Sequence, residues 1–444
     1  MKEEPHIAVG IIDRAARIDG RLDGTFSIPG SGSAAGGFSA NAAGGAIVLL
    51  DEAGREAARS GGLRLLAEGP ATFTLFNVLI GKRFHWERPE EQTFRGNLLL
   101  RLRKDGSMAI INEIPLEEYL RSVVSSEMSA SAPLEFLKAH SIISRSWLLA
   151  ALGKKGATKQ TDQADQAAAV ESGAVIRWYD REEHDLFDVC ADDHCQRYQG
   201  VTKITSGRPQ EAAAATRGMV LSYGGKICDA RYSKACGGLT EEFATAWESV
   251  RVPYLTSVTD SPEPHSPIET EAAAREWILS SPEAYCRVED AALIGEVLPG
   301  FYQETKDFFR WTVAYSRDEL SSLVQEKSGL DLGAIRELRP LLRGPSGRIY
   351  RLKIIGSKGS VVVGKELEIR RWLSPTHLLS SAFVVDAKRD RRGRVEAFTL
   401  HGAGWGHGVG LCQIGAAAMA IRGFSAEQIL SHYFSGARIR RVYK

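Results

Sequence analysis

The stretch PLEEYLRSVVSSEMSASAPLEFLKAHSIISRSWLLA, residues 115–150, predicts two consecutive helices. Pro115 suits the first turn of a helix, and the acidic pair Glu117 and Glu118 complements the partial positive charge of a helix N-terminus. Apolar residues then recur at the spacing of one buried helical face: Leu116, Leu120, Val123 and Val124. The small residues and proline of SASAP end this helix, and a second helix follows from about Pro133.

Glu127 continues the apolar face of the first helix, at a position where a core residue is expected. One interpretation is structural: the carboxylate pairs with Arg121, Arg145 or a backbone group, or it faces solvent where the helix ends. The other interpretation is functional: the carboxylate lines a cleft and donates a proton as a general acid. The helical pattern alone leaves both interpretations open.

The composition limits the classes of function. The chain has 444 residues, 43% hydrophobic and 25% charged, which is typical of a soluble globular protein with two or three domains. Because 56 Lys and Arg balance 55 Asp and Glu, no overall field favours nucleic acid, and we expect no nucleic-acid partner. No stretch approaches the roughly 18 apolar residues of a transmembrane segment. The start, MKEEPHIAVGII, lacks the apolar core of a signal peptide, which leaves open whether an export signal has been trimmed away.

Blocks of strand-like and helix-like sequence follow one another, which favours an α+β fold. The Gly/Ser/Ala-rich stretch 27–46 is expected to form a loop or a hairpin tip, and the polar stretch 154–182 a surface insertion. The predicted parts, in chain order, are a β-rich N-terminal part at 1–112, the first part of a core with both helices at 113–265, an inserted α/β subdomain at 266–385, and the C-terminal part of the core, with a glycine-rich loop and a helix, at 386–444.

Two histidines and two cysteines cluster in the sequence HDLFDVCADDHCQRY. His184, Cys190, His194 and Cys195 are a ligand set suited to tetrahedral zinc. Their spacing is not a common finger pattern, and adjacent ligands reach one metal only in a turn. The alternative is a buried cysteine pair or a Cys190–Cys195 disulfide with surface histidines. Four protein ligands would make the zinc structural, because no coordination position stays open for water.

The sequence HGAGWGHGVGLCQIGA, residues 401–416, places five glycines before a helix. Such a loop permits close approach of a ligand, with His407 and Gln413 as candidate cleft residues. It matches no phosphate-binding fingerprint. The alternative is that the loop only packs the final helix against the core. A thiol nucleophile at Cys236, near Lys234, is disfavoured because no positioned histidine accompanies it.

Three separated motifs resemble the SpoIID/LytB family, which comprises stage II sporulation protein D and the amidase enhancers. The first is EEYLRSVVSSEMSASAPLEFLKAHSIISRSW. The second is RYSKACGGLTEEFATAWES, followed by PYLTSV. The third is HGAGWGHGVGLCQIGAAAMAIRGFSAEQILSHYF. Their order and their spread over about 330 residues make the resemblance specific, although any one of them alone would be weaker.

The resemblance implies a peptidoglycan lytic transglycosylase that cuts peptide-free glycan strands and leaves 1,6-anhydro ends. The family's catalytic glutamate falls on Glu127, and its arginine and Tyr-x-Lys pair fall on Arg145, Tyr232 and Lys234, expected to bind substrate. Some SpoIID proteins carry zinc on a similar His/Cys set near an HCQxY element, and HCQRY stands here. A single carboxylate suffices for this reaction because the substrate's own C6 hydroxyl is the nucleophile, held on the same sugar.

The resemblance leaves a second function open, because amidase enhancers share the domain but activate a separate cell-wall amidase. In that case the protein is a non-catalytic, cell-wall-binding activator. For either function we expect peptidoglycan glycan strands as a partner, a glycan-binding groove in the fold, and an extracytoplasmic location in the periplasm or cell envelope.

Overall fold

The structure, a computed structural model, describes residues 3–81, 87–154, 173–179, 184–192, 194–268, 270–298 and 307–444. Helices and strands mix along the chain, and the predicted α+β class is confirmed. Within these described ranges, no helix combines the length and the apolar character that crossing a bilayer requires.

The N-terminal part is a sheet built mostly from hairpins. Its strands are β1 His6–Ala15, β2 Arg17–Ile28, β3 Gly32–Ala43, β4 Ala46–Asp51, β5 Glu56–Ser60, β6 Gly62–Ala67, β7 Thr72–Ile80, β8 Arg88–Arg95, β9 Asn97–Leu102 and β10 Met108–Pro115. Their order is β1-β10-β9-β6-β2-β3-β4-β5, and β7 joins β2 to β8. The predicted β-rich character of this part is therefore present in the structure.

The stretch 27–46 is not the expected loop. It forms the end of β2, all of β3 and a tight turn into β4. Gly44 and Gly45 have φ of 59° and 75°, which a two-residue hairpin turn requires at both central positions. Phe38 and Ala40 are buried on one face of β3. Small residues mask this period-two pattern, because Gly, Ala and Ser have little preference for strands.

The two predicted helices are α1 Leu116–Glu127 and α2 Leu134–Lys154. The predicted face of α1 is completely buried, at 0% exposure for all four apolar residues. Leu116, Leu120 and Val123 pack into the core of the N-terminal sheet, whereas Val124 packs into a second core formed with later parts of the chain. Helix α1 therefore joins two hydrophobic cores, and its C-terminal end lies where they meet.

The second core is built from both ends of the remaining chain. Strand β12 Val189–Cys190 belongs to the N-terminal sheet. The elements around the second core are α3 Arg208–Ala215, β13 Met219–Tyr223, β14 Lys226–Ile227, β15 Tyr232–Ser233, α4 Phe243–Ala246, β22 Leu411–Cys412, α9 Gln413–Ile421, α10 Ala426–Tyr433 and β23 Arg438–Arg441. Strand β15 pairs in parallel with β22, and β13 pairs with β14 and β23. Strand β12 pairs with β1. The C-terminal segment thus returns to the helices α1 and α2.

The block between these segments has a core of its own. The elements of this core are β11 Ala174–Ile176, β16 Arg310–Ser316, α7 Arg317–Ser328, β17 Ile335–Arg343, β18 Ile349–Gly356, β19 Ser360–Gly364, α8 Glu366–Trp372, β20 Phe383–Arg389 and β21 Val395–Ala403. Helix α5 Glu271–Leu279 packs in a small cluster against β20 and β21, and helix α6 Ala291–Val297 packs against the second core. One sheet has the order β11-β19-β18-β17, and the other has the order β16-β21-β20.

One predicted domain boundary and part of the predicted surface insertion fall within these sheets. The boundary at residue 385 falls inside β20, and the pairing of β16 with β21 carries the block on to Ala403. Of the predicted surface insertion 154–182, residues 155–172 and 180–182 lie outside the described part. Residues 174–176 form β11, whose Val175 is 7% exposed and packs in the core of the block.

Candidate active site

Glu127 is the last residue of α1, and its carboxylate is held by two hydrogen bonds. The Oε1 atom accepts one from the backbone N–H of Arg197 at 2.9 Å and one from the hydroxyl of Tyr232 at 3.2 Å. No residue in the described ranges donates a hydrogen bond to Oε2, and Glu127 keeps 9% of its surface exposed. One carboxylate oxygen is therefore oriented by the protein, while the other is left to accept or donate a proton.

Tyr232 and Lys234 reach Glu127 from the strand β15 and the residue after it. They are two residues apart, so both side chains point to the same side of the strand. Lys234 Nζ donates to the backbone oxygen of Glu127 at 2.9 Å and contacts the sulfur of Met128 at 3.4 Å. Burial, and next the charge of Glu127, raise the pKa of Tyr232 well above 10, so its hydroxyl stays protonated and donates. The structure thus brings Glu127, Tyr232 and Lys234 together.

Arg145 lies outside this group, contrary to the expectation that it binds substrate. Its side chain is 0% exposed and forms a bidentate ion pair with Glu117, with Nη2 to Oε2 at 2.6 Å and Nε to Oε1 at 3.0 Å. Its Nη1 donates to the backbone oxygen of Met219 at 2.8 Å. The physical reason is helical position, because this side of α2 faces the N-terminal turn of α1 and not its C-terminal end. Arg145 has no exposed surface with which to contact a glycan.

His140, one turn earlier on α2, contacts the site instead and was not singled out by the sequence. Its ring lies 4.8 Å from that of Tyr232, centroid to centroid. Its Nε2 is 2.9 Å from the amide nitrogen of Gln413, and its Nδ1 is 3.1 Å from the hydroxyl of Ser144. Burial lowers the pKa of His140 to about 3, so the ring is neutral and accepts from the Gln413 amide. The sequence feature that could have indicated His140 is its place on the apolar face of α2, four residues after Phe136.

Gln413 is therefore a positioning residue rather than a cleft residue, because it is 1% exposed and its amide contacts His140. His407 lies elsewhere in the glycine-rich loop, packed edge-on against Trp247 at 4.8 Å, and its Nδ1 accepts from Val409 N at 3.0 Å. Burial, followed by the charges of Arg231 and Arg348, lowers its pKa well below 6.5. These contacts are those of a packing loop. A Cβ on Gly408 would lie 2.4 Å from the guanidinium carbon of Arg348.

The predicted metal ligands come together in space. The donor atoms of His184, Cys190, His194 and Cys195 all lie within 4.8 Å of one another. His184 Nε2 is 3.4 Å from Cys195 Sγ, and His194 Nδ1 is 3.5 Å from Cys195 Sγ and 3.9 Å from Cys190 Sγ. Tetrahedral zinc with usual bond lengths sets its ligand atoms about 3.4–3.8 Å apart. The donor set and its spacing therefore fit a metal ion, and the cysteines are free rather than joined as a disulfide.

The segment HCQRY joins this cluster to Glu127. Cys195 is two residues before Arg197, whose N–H reaches the Glu127 carboxylate. Between them, Gln196 is 0% exposed, its Oε1 accepts from Tyr119 at 3.2 Å, and its Nε2 donates to the backbone of Ser144 at 3.4 Å. This link was missed because a backbone donor has no sequence signature. Anything that orders the cluster also orders a hydrogen bond to Glu127.

A surface depression lies apart from these residues. It has a volume of about 740 Å³, is open to solvent, and is lined by residues of the segment around α10, among them Phe424, Gln428 and His432. Its lining includes neither Glu127 nor Tyr232 nor Lys234. The geometry around Glu127, and not the size of a pocket, identifies the candidate site.

Comparison with known proteins agrees with the three motifs. Residues 104–223 match the family model of the stage II sporulation protein SpoIID, and residues 241–410 match a domain of unknown function, DUF8618. The stage II sporulation protein D of Bacillus subtilis is 25% identical over 329 residues, which cover 74% of this chain and 75% of that protein. The same protein of Bacillus amyloliquefaciens is 26% identical over 329 residues, with the same coverage.

An amidase enhancer of Bacillus subtilis is also similar, 26% identical over 328 residues that cover 72% of this chain and 40% of the enhancer. The SpoIID match contains Glu127 and the four metal ligands, whereas Tyr232, Lys234 and the glycine-rich loop follow it in the chain. The matched domain and the curated relatives agree with one another, and they support the SpoIID/LytB family for this chain.

Proposed function

We propose that this protein is a peptidoglycan lytic transglycosylase in which Glu127 acts as the single acid and base. The observation that carries the proposal is the state of the Glu127 carboxylate. Its Oε1 atom is held by Tyr232 and the Arg197 backbone, and Oε2 has no hydrogen-bond donor in the described part of the chain. Both groups that hold this carboxylate, a hydroxyl and a backbone amide, are neutral. The arrangement therefore suits a single carboxyl group that donates a proton to the substrate and later accepts one from it.

The proposed reaction needs no water. Protonated Glu127 donates its proton to the glycosidic oxygen, the bond from that oxygen to C1 breaks, and the leaving sugar departs as an alcohol. The C6 hydroxyl oxygen of the same muramic acid forms the new bond to C1, and its proton returns to the Glu127 carboxylate. The product is a 1,6-anhydro end, and Glu127 is protonated again for the next cycle.

Tyr232 and Lys234 have separate roles in this proposal. The Tyr232 hydroxyl fixes the direction of the Glu127 carboxylate, because it donates to Oε1. The ammonium group of Lys234 donates a hydrogen bond to the last carbonyl of α1 and offsets the partial negative charge of this helix end. Its positive charge also suits the lactyl carboxylate of muramic acid. Arg145 is left out of the substrate contacts, because it is buried against Glu117.

The test uses the full chain and glycan strands stripped of their peptides. Glu127→Gln keeps the shape of the side chain and removes the acid, so we expect the release of fragments to fall about 10²–10⁴-fold. Mass spectrometry should find wild-type products with anhydro ends, one water lighter than hydrolysed ends. The matched control is Glu118→Gln, a carboxylate of the same helix that pairs with Arg121 and should leave the rate unchanged. Full activity of Glu127→Gln would overturn the proposal.

The second candidate is an amidase activator, which the similarity to an amidase enhancer favours. In that case the protein binds glycan strands, and a partner amidase cuts the amide bond that joins the peptide to muramic acid. Purified wild-type protein would then leave peptide-free strands unchanged and increase the rate of a cell-wall N-acetylmuramoyl-L-alanine amidase. Either activity places the protein outside the cytoplasm, where peptidoglycan lies.

We further propose that His184, Cys190, His194 and Cys195 hold a structural Zn²⁺. Four protein ligands close the coordination shell, so the ion would order the HCQRY segment and leave the chemistry to Glu127. Support comes from the donor distances of 3.4, 3.5 and 3.9 Å. Protein purified without chelator should contain zinc, and the double variant Cys190→Ser/Cys195→Ser should contain one equivalent less.

A further inference from the structure

A second group of potential ligands lies inside the core, away from the HCQRY segment. Cys236, Asp260, Cys286 and Cys412 are all buried, and their donor atoms lie within 4.8 Å of one another. Asp260, Cys286 and Cys412 are 0% exposed, and Cys236 is 2% exposed. Three thiols and a carboxylate from four separate segments thus converge on one point of the core.

The spacing of the sulfur atoms fits ligation of one metal ion. Cys236 Sγ and Cys286 Sγ are 3.7 Å apart. A disulfide bond is about 2.05 Å long, whereas two thiolates on one tetrahedral zinc lie about 3.8 Å apart. The Sγ of Cys412 is close to the same pair, since it accepts a hydrogen bond from the backbone N–H of Cys236 at 3.2 Å. Hydrogen bonds of this kind orient a thiolate for a metal.

Asp260 gives an independent indication. It is a completely buried carboxylate, and no lysine, arginine or histidine in the described ranges forms an ion pair with it. Its Oδ1 accepts from the Tyr433 hydroxyl and its Oδ2 from the Cys286 N–H at 2.9 Å. Burying an ionised carboxylate without a cation lowers the free energy of unfolding by about several kcal/mol. A metal ion at this point would supply the missing positive charge.

The surrounding charges suit an anionic metal complex. Three thiolates and a carboxylate around a divalent ion leave two negative charges. Two guanidinium groups, one buried and one half-buried, bind the same loop: Arg348 Nη1 donates to the oxygen of Cys236 at 3.1 Å, and Arg310 Nη1 donates to the oxygen of Gly237 at 3.0 Å. The hydroxyl of Tyr433 and these two cations would stabilise the complex from outside its ligand shell.

We propose that Cys236, Asp260, Cys286 and Cys412 form a second, structural site for a thiophilic divalent metal ion of the zinc class. Thiolate ligands select zinc over magnesium or calcium, and four protein ligands leave no position for substrate. Cys236 follows β15 and Cys412 ends β22, so the ion would clamp the strand pair that carries Tyr232. Cys286 would tie the start of the inserted block to that pair.

The zinc content of the folded protein tests the second site, first with that site intact and then with one of its ligands removed. In the double variant Cys190→Ser/Cys195→Ser, the first cluster is disabled, and we expect one zinc per folded chain by elemental mass spectrometry, against two in the wild type. Adding Cys286→Ser should lower the content to zero. Cobalt added to the metal-free double variant should give thiolate charge-transfer absorption. The matched control is Cys228→Ser, a buried cysteine outside both clusters, which should keep two zinc ions.

The outcomes separate this site from the first one. One zinc in the wild type that disappears in Cys190→Ser/Cys195→Ser would overturn the second site alone. One zinc that survives that change and disappears with Cys286→Ser would overturn the first site alone. A disulfide between Cys236 and Cys286, found by mass mapping of the native protein, would also overturn the second site. If the double variant does not fold, the single variant Cys286→Ser decides: the loss of one zinc from the wild-type count supports the second site, and an unchanged count overturns it.

Discussion

A carboxylate at the C-terminal end of a helix faces the partial negative charge of the last carbonyl groups. Glu127 occupies this place in α1, and the Lys234 ammonium group compensates by binding its backbone oxygen. Arg121, one of the ion-pair partners considered for Glu127 from the sequence, pairs with Glu118 instead, at 2.5 Å. The Glu127 carboxylate is therefore held by neutral donors, Tyr232 and the Arg197 N–H, which leave its own charge free to change during a reaction.

Tyr232→Phe tests the orienting hydrogen bond. The change removes the hydroxyl that donates to Glu127 and keeps the ring against His140. A hydrogen bond to a charged group contributes about 1.5–3 kcal/mol, so kcat on peptide-free glycan should fall roughly 10- to 150-fold. The control is Tyr223→Phe, a tyrosine that is 39% exposed and outside the site. Equal kcat for Tyr232→Phe and wild type would remove Tyr232 from the mechanism.

The residues of the site differ in how far the sequence could predict them. Glu127 stood out because a charge interrupts an apolar face, and the family motif then added Tyr232 and Lys234. Arg145 was misplaced because a motif aligns positions and does not show which side of a helix faces a cleft. The Arg197 N–H was beyond prediction, because its contact with Glu127 joins residues 70 positions apart through a backbone atom.

At the scale of elements, the Glu117–Arg145 pair joins the first turn of α1 to the middle of α2. Glu117 also accepts from the Gly218 N–H at 3.1 Å and from the Tyr443 hydroxyl at 2.6 Å. Arg145 reaches the backbone of Met219. The pair therefore connects both helices, the start of β13 and the end of the chain, and every polar atom of the Glu117 carboxylate is satisfied.

Arg145→Met should destabilise the fold, because it leaves the buried Glu117 carboxylate without its cation. We expect the free energy of unfolding in urea to fall by roughly 3–5 kcal/mol. The double variant Glu117→Leu/Arg145→Met should recover part of this loss, because it removes both charges. A substrate-binding Arg145 predicts something different: a higher KM for glycan with an unchanged urea midpoint, and that result would contradict the structural role.

The boundaries of α1 and α2 were predictable because proline, small residues and a repeating apolar face mark them locally. Strand β3 was not, because its Gly and Ala residues resemble a loop until their partners in β2 and β4 are known. The short strands β15 and β22 were also beyond prediction. They pair across about 180 residues of chain, with Tyr232 opposite Leu411. The element that carries Tyr232 therefore exists only through a contact that local patterns do not encode.

Across the whole molecule, two hydrophobic cores meet along α1, and the inserted block has a third core of its own. The sequence predicted an α+β fold with added N-terminal and inserted parts. It could not predict that the inserted block extends to Ala403, because the pairing of β16 with β21 joins residues about 85 positions apart. The proposed metal sites lie at two of the junctions between these parts, one at the edge of the N-terminal sheet and one behind β15.

Several histidines in these cores are neutral at physiological pH. Burial lowers the pKa of His140 to about 3 and that of His377 to about 4. It also lowers the pKa values of His407 and His432. In the unfolded chain each ring titrates near 6.5. Between about pH 6.5 and the folded pKa, the unfolded state binds more protons, so these histidines lower the free energy of unfolding as the pH falls through this range.

His140→Gln isolates one of these contributions, because glutamine can still hydrogen-bond to Ser144 and Gln413. Wild-type stability should fall more steeply than that of the variant below pH 6.5, by at most about 1.4 kcal/mol per pH unit. Buried acids such as Glu241, whose pKa is raised by burial, contribute the opposite slope, but both proteins share them. Urea unfolding at pH 7, 6 and 5 measures the difference. Parallel curves for His140→Gln and wild type would show that His140 takes up a proton without unfolding the protein.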